Sequence, residues 1–200
     1  ANTTFNINSS PDSWLEKALV SFEAGDVVGI ETELQYGDSL SVTREDENAD
    51  WQSEELPDGK ILNQSSVTQI ATRLAGLNFS ATADKDGDNV TAARDNSHRF
   101  KLTLKDGRSY TYTIGRQPEV SIEKQAEKTD ENGETTTETE SEIVTPEGPV
   151  YFFIAAADNS DPVNGYMEKS AFEASSYQYT SLPTSTDTLL SDAPEPVEET

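Results

Sequence analysis

The chain is 200 residues long, room for one large domain or two small ones, and 33% of it is apolar, with two Trp, seven Tyr and seven Phe to build a core. Thirty-eight Asp and Glu against 14 Lys and Arg leave a net charge of −24, a surface that repels nucleic acid and anionic lipid and excludes both as direct partners. Cysteine is absent, which excludes a disulfide framework, a thiolate nucleophile and a zinc–sulfur site, and no run of about 18 apolar residues offers a membrane span.

Residues 3–7 (Thr-Thr-Phe-Asn-Ile) alternate polar and apolar, which predicts a half-buried strand. So early a strand is expected to complete a sheet begun in a longer polypeptide. Ser10 as cap and Pro11 at the first helical position open a helix whose apolar stripe is Trp14, Leu15, Ala18 and Leu19. A strand follows Asp26, a turn falls at Tyr36-Gly37-Asp38, and Leu40–Thr43 gives a second strand. Trp51 is expected in a third strand ending at Leu56-Pro57-Asp58-Gly59. Ser66 and Gln69 read as a capping box for a helix carrying Val67, Ile70, Leu74 and Leu77, with Gly76 as its left-handed cap.

The best-specified element is the hairpin over 99–115. A three-residue loop, Lys105-Asp106-Gly107, sets Leu102 opposite Tyr110 and Phe100 opposite Tyr112 on one face, whereas a two-residue loop would split the two apolar rows. Residues 118–148 are different in kind. An Asn132-Gly133 turn would set Ile122 opposite Ile143, but also Glu123 opposite Glu142 and Glu127 opposite Glu138, an unfavourable pairing of like charges. This predicts an acidic ribbon, formed at its base and frayed at its tip, projecting from the domain. Val150–Ala157 is apolar on both faces and reads as a central strand. A helix is expected around Met167–Ser176 with Met167, Ala171 and Phe172 inward, and residues 191–200 read as a disordered acidic tail. The sum is an α+β fold: a mostly antiparallel sheet, two or three packed helices and a projecting acidic β-hairpin, as a single domain over 1–190.

Asp84-Lys85-Asp86-Gly87-Asp88-Asn89 places carboxylates at alternate positions, like the start of a calcium loop, and Asp95 falls at the twelfth position. Asp84, Asp86, Asp88 and Asp95 are therefore the candidate calcium ligands. Against them, Asn89 stands where that loop needs glycine, and the preceding Leu77–Thr82 alternates like a strand rather than an incoming helix. His98, the sole histidine, has no nearby nucleophile or co-ligand and reads as a surface or strand-edge residue. Trp14 and Trp51 sit at apolar positions and read as core rather than as sugar platforms. With 38 acids close carboxylate pairs are unavoidable, so they do not identify a glycosidase. No catalytic residue is assigned. Acids spread along the whole chain fit adaptation to salty surroundings better than a dedicated role in binding cations or a basic partner.

One ordered set of segments resembles a known family. Trp14-Leu15-Glu16-Lys17, Asp26-Val27-Val28-Gly29-Ile30, Leu40-Ser41-Val42-Thr43-Arg44, Trp51 and Leu56-Pro57-Asp58-Gly59-Lys60-Ile61-Leu62-Asn63 lead through the Val67/Ile70/Leu74 helix to Leu77-Asn78-Phe79. Together they resemble bacterial proteins containing domain of unknown function 4340, particularly the second, membrane-distal half. The resemblance covers roughly residues 10–120, the 149–157 strand and the helix after it; its motifs are structural. It implies a periplasmic or cell-surface protein held by an N-terminal anchor that this chain lacks, some relatives being linked to gliding-type ABC transport systems. The acidic 118–148 excursion is not a feature of the resemblance. The expected role is a non-catalytic, extracytoplasmic interaction or scaffolding module, with other domains of the same polypeptide and envelope proteins as partners, no nucleic acid, and membrane contact only through that anchor. The competing expectation is a secreted calcium-dependent binding domain organised by Asp84–Asn89.

Overall fold

The computed structural model describes residues 18–35, 39–129 and 135–194. The strand predicted at 3–7, the helix start at Ser10–Leu15 with Trp14, the turns at 36–38 and Asn132-Gly133, and the tail 195–200 lie outside them.

Seven strands form one antiparallel sheet in the order β2-β1-β5-β6-β9-β10-β4. They are β1 (Val27–Glu33), β2 (Ser39–Thr43), β4 (Ala81–Ala83), β5 (Ser97–Leu104), β6 (Ser109–Arg116), β9 (Val150–Ala156) and β10 (Ala171–Ala174). A short β3 (Lys60–Leu62) pairs with β11 (Leu190–Asp192), and β7 (Val120–Thr129) pairs with β8 (Thr135–Thr145) as a separate ribbon. The helices are α1 (Gln64–Ala75), α2 (Asp88–Asp95), α3 (Pro162–Met167) and α4 (Ser176–Thr180). This is the α+β class read from the sequence.

Strand alternation sorts the sheet into two faces. Leu40 and Val42 of β2, Ile30 of β1, Phe100, Leu102 and Leu104 of β5, Tyr110, Tyr112 and Ile114 of β6, and Phe152 and Ile154 of β9 are all buried in one cluster. The stripe Val67, Ile70, Ala71 and Leu74 of α1 closes over it. The β5–β6 register is the expected one, Leu102 to Tyr110 and Phe100 to Tyr112, and Gly107 takes φ +87° in the three-residue loop. β9 lies between β6 and β10, a central strand as its double-faced apolar sequence requires. Among the described residues the opposite face is covered on one half, where Val90 and Ala93 of α2 pack on Tyr151 and Ala171. Gly115 lies under that helix, where a Cβ would come within 2.2 Å of the Ala93 carbonyl oxygen.

Several expectations are corrected. Ala18 and Leu19 are not helical; Leu19 packs on the core from a bend. Trp51 is buried but forms no third strand, because the Gln64 side-chain amide accepts from its N–H at 2.7 Å and donates to its carbonyl at 3.0 Å, taking a partner strand's place. Only Gln52 bridges to Thr43, and the strand comes later, at 60–62. The cap of α1 is Asn63, whose Oδ1 accepts from the Ser66 N–H at 3.1 Å, so Ser66 lies inside the helix it was expected to start; Gly76 closes it at φ −91°, outside the left-handed region. No helix spans 167–176. Asp161 caps the short α3, with Pro162 at its start, and Ala171–Ala174 instead extends the sheet between β9 and β4. Ser191 and Asp192, expected in the disordered tail, pair with Ile61 and Lys60.

The ribbon departs from its expected register by one residue. Ile122 faces Glu142, Glu123 faces Ser141, Lys124 faces Glu140 and Glu127 faces Thr137, with Val144 as the extra residue of a bulge beside Val120. The shift removes both Glu–Glu oppositions at the cost of the Ile–Ile pair. It is available because none of the ribbon's described side chains is buried to enforce the other register. Pairing continues through Thr129 and Thr135. No described helix is long and apolar enough to cross a membrane.

Candidate interaction surfaces

The proposed calcium ligands do not converge. The Asp84 carboxylate accepts from the Asp86 N–H at 3.0 Å, closing a small turn, while the Asp86 carboxylate pairs with Lys85 at 3.0 Å. Asp88 opens α2 and Asp95 ends it, seven residues and about 10 Å of helix rise apart. The helix therefore carries the twelfth-position carboxylate away from the loop it was to close. Among the described residues no three His, Cys, Asp or Glu side chains cluster as metal ligands do.

His98 is 1% exposed, which corrects its reading as a surface or edge residue. It lies on the core face of β5, opposite Ile114, between the rings of Phe100 and Tyr179. Its Nδ1 accepts from the Gln35 N–H at 3.1 Å, which leaves the ring proton on Nε2, 3.4 Å from the Tyr179 hydroxyl. Burial lowers its pKa, so the neutral ring is held as a structural bridge from the end of β1 to α4. A polar residue in register with Phe100 and Leu102 was the available signal; alternation placed it inward and its polarity argued otherwise.

Two surfaces remain as candidate sites. The first is an open groove of about 590 Å³ on the half of the sheet's outer face that no described helix covers, lined by Arg94 of α2 and Met167 of α3. Cross-strand register builds it: Glu31 opposes Lys101 and Glu33 opposes Arg99, with ion pairs of 2.7 and 2.9 Å. The next strands add Thr111 and Thr113, then Ala155 and Phe153 opposite them. The Arg94 guanidinium lies 4.4 Å from the Phe153 ring centre. The groove thus offers paired charges, hydroxyls and one stacked guanidinium; among the described residues no His, Cys or Ser lines it. Sequence reading missed it, because the β1–β5 register joins residues some seventy positions apart.

The second is the ribbon. It leaves the sheet where Gln117 and Gly148 face each other, the Gly148 N–H donating to the Gln117 carbonyl at 2.9 Å. At its base Val120, Ile122, Ile143 and Val144 are 42–56% exposed. Glu119, Glu123, Glu142 and Glu147 surround them on the surface, two held in ion pairs, Glu142 by Lys124 and Glu147 by Arg116.

Comparison with known proteins gives one match. The model of the family described as Domain of unknown function (DUF4340) matches residues 1–97, ending at the first residue of β5. The hairpin at 99–115, the ribbon and β9 lie beyond the matched region. No curated protein and no solved structure matches the chain.

Proposed function

We propose, from the match of the DUF4340 family model to residues 1–97, that the chain is a non-catalytic, extracytoplasmic interaction module of a membrane-anchored envelope protein, accessory to an ABC transport or gliding-type system. The observation that carries the interaction role is the ribbon. Thirty residues, 118–147, with ten acids against two lysines, are spent on an element whose strands pair only with each other among the described residues. Such a ribbon adds little to a domain that already buries its core, since two-stranded hairpins alone are marginally stable in water. Its exposed β-branched residues, Val120 and Ile122 on one face and Ile143 on the other, are apolar side chains of the kind that protein partners cover. The envelope location rests on the family resemblance and on the net charge of −24, which suits a surface screened by salt outside the cytoplasm.

The test is site-specific photo-crosslinking in living cells, with the full-length protein carrying the reactive residue at Ile143 or, separately, at Thr111. The proposal expects cross-links from at least one position to a second envelope protein. Recovery in the cytoplasmic fraction with no cross-linked product from either position contradicts it.

A further inference from the structure

Among the described residues the sheet exposes little free edge. β4 is three residues long, and β2 is five, with Thr43 already bridged to Gln52. The ribbon is different: β7 and β8 pair along ten and eleven residues, and no other described strand pairs with either, so each presents a row of outward N–H and C=O groups. The two edges differ in chemistry. β7 mixes signs, with Lys124 and Lys128 among Glu123 and Glu127, whereas β8 has only acids, Glu138, Glu140 and Glu142, at alternate positions. Ile143 follows on the face opposite Glu142 and is 56% exposed.

We propose that the outer edge of β8 docks an extended segment of another protein in which basic and apolar residues alternate, added as a third strand. The proposal rests on the interaction-module reading above and names the partner's chemistry. By alternation an added strand sets every second residue on the face of Glu138, Glu140 and Glu142, and the residues between on the face of Thr139, Ser141 and Ile143. That pattern calls for Lys or Arg alternating with Val, Ile or Leu. A second copy of this chain is a poor occupant, because β8 against β8 opposes glutamates to glutamates. The same charges that deter self-association become contacts for a basic strand, and the bulge at Val144 ends the docking edge where the ribbon rejoins the sheet.

The probe is a capped Lys-Val-Lys-Val-Lys-Val-Lys peptide titrated into the isotopically labelled full 200-residue chain, followed by amide chemical shifts. Two further peptides carry the same side chains but are N-methylated on one or the other alternate set of amides. Strand addition needs only one set, so one methylated peptide is expected to bind as the parent does and the other not at all. Shifts should centre on 138–144, and Ile143→Thr should weaken binding about tenfold, the loss of one buried apolar branch. Glu142→Lys should weaken it further while the chain stays folded. Equal binding of both methylated peptides, shifts spread over the acidic surface or centred on Arg99 and Phe153, or no binding at all would each overturn the docking edge. Cross-links from Thr111 to an envelope protein, with the peptide ignoring β8, would overturn the docking edge alone and leave the interaction module standing.

Discussion

Two hairpins follow each other along this chain, and their fates differ. β5–β6 places an apolar side chain at every second position, and Phe100, Leu102, Leu104, Tyr110, Tyr112 and Ile114 are all buried. β7–β8 is longer and as fully paired, yet its large apolar residues, Val120, Ile122, Ile143 and Val144, sit at its base and are exposed. Backbone pairing is common to both; only the first carries an apolar row that a core can hold. A hairpin joins a sheet through its side chains, and one without such a row is free to serve a partner. Register follows the same rule. The buried face fixes β5–β6 in the expected alignment, whereas β7–β8 moves by one residue to separate its glutamates.

Substitution tests this contrast most strongly. Phe100→Ala should cost about 3–5 kcal/mol in urea unfolding, whereas Ile143→Ala should stay within about 0.5 kcal/mol. Comparable losses at the two positions would erase the distinction. Gly115→Ala should cost about 1–3 kcal/mol, because its Cβ meets the Ala93 and Asn96 carbonyl oxygens at 2.2 and 2.5 Å and α2 must shift. A neutral result there would mean that α2 is loosely held on the sheet.

The domain should also carry an acid sensitivity centred on His98. Burial holds the folded His98 pKa below its ordinary value, so the unfolded chain binds the proton first as pH falls. Stability is full above about pH 6.5 and declines as pH drops toward the folded pKa, with a slope of at most about 1.4 kcal/mol per pH unit from this group. His98→Gln keeps an acceptor for Gln35 and a donor for Tyr179, and it should flatten that part of the profile. An unchanged profile would remove His98 from the account. The smallest effect belongs to the groove: Lys101→Ala breaks an exposed pair with Glu31 and should cost about 0.2–1 kcal/mol, less at high salt.

Much of the sheet was legible because alternation is local: Leu40–Thr43, Phe100–Leu104, Tyr110–Ile114 and Val150–Ala156 each declare a buried face within a few residues. The misreadings occurred where a distant group decides. Trp51 is held by Gln64, and Ala171–Phe172 pairs with Thr82–Ala83 of β4 across almost ninety positions. Phe172, spaced from Met167 and Ala171 as on a helix, is a strand residue because Pro162 starts the helix earlier and an edge was open. The groove depends on a register that no local pattern carries. The ribbon was visible as an acidic, core-less segment, and its alignment was not, since nothing buried selects it.

The most direct test of the division between domain and ribbon is excision. The Gly148 N–H bonds the Gln117 carbonyl, so an Asn-Gly pair replacing residues 118–147 would close β6 onto β9 as a tight hairpin. The account predicts that thermal unfolding of the excised protein stays cooperative, with a midpoint within a few degrees of the parent, a change below about 1 kcal/mol, and that binding of the basic strand peptide is lost. A domain that unfolds without its ribbon, or that binds the peptide undiminished, would contradict it.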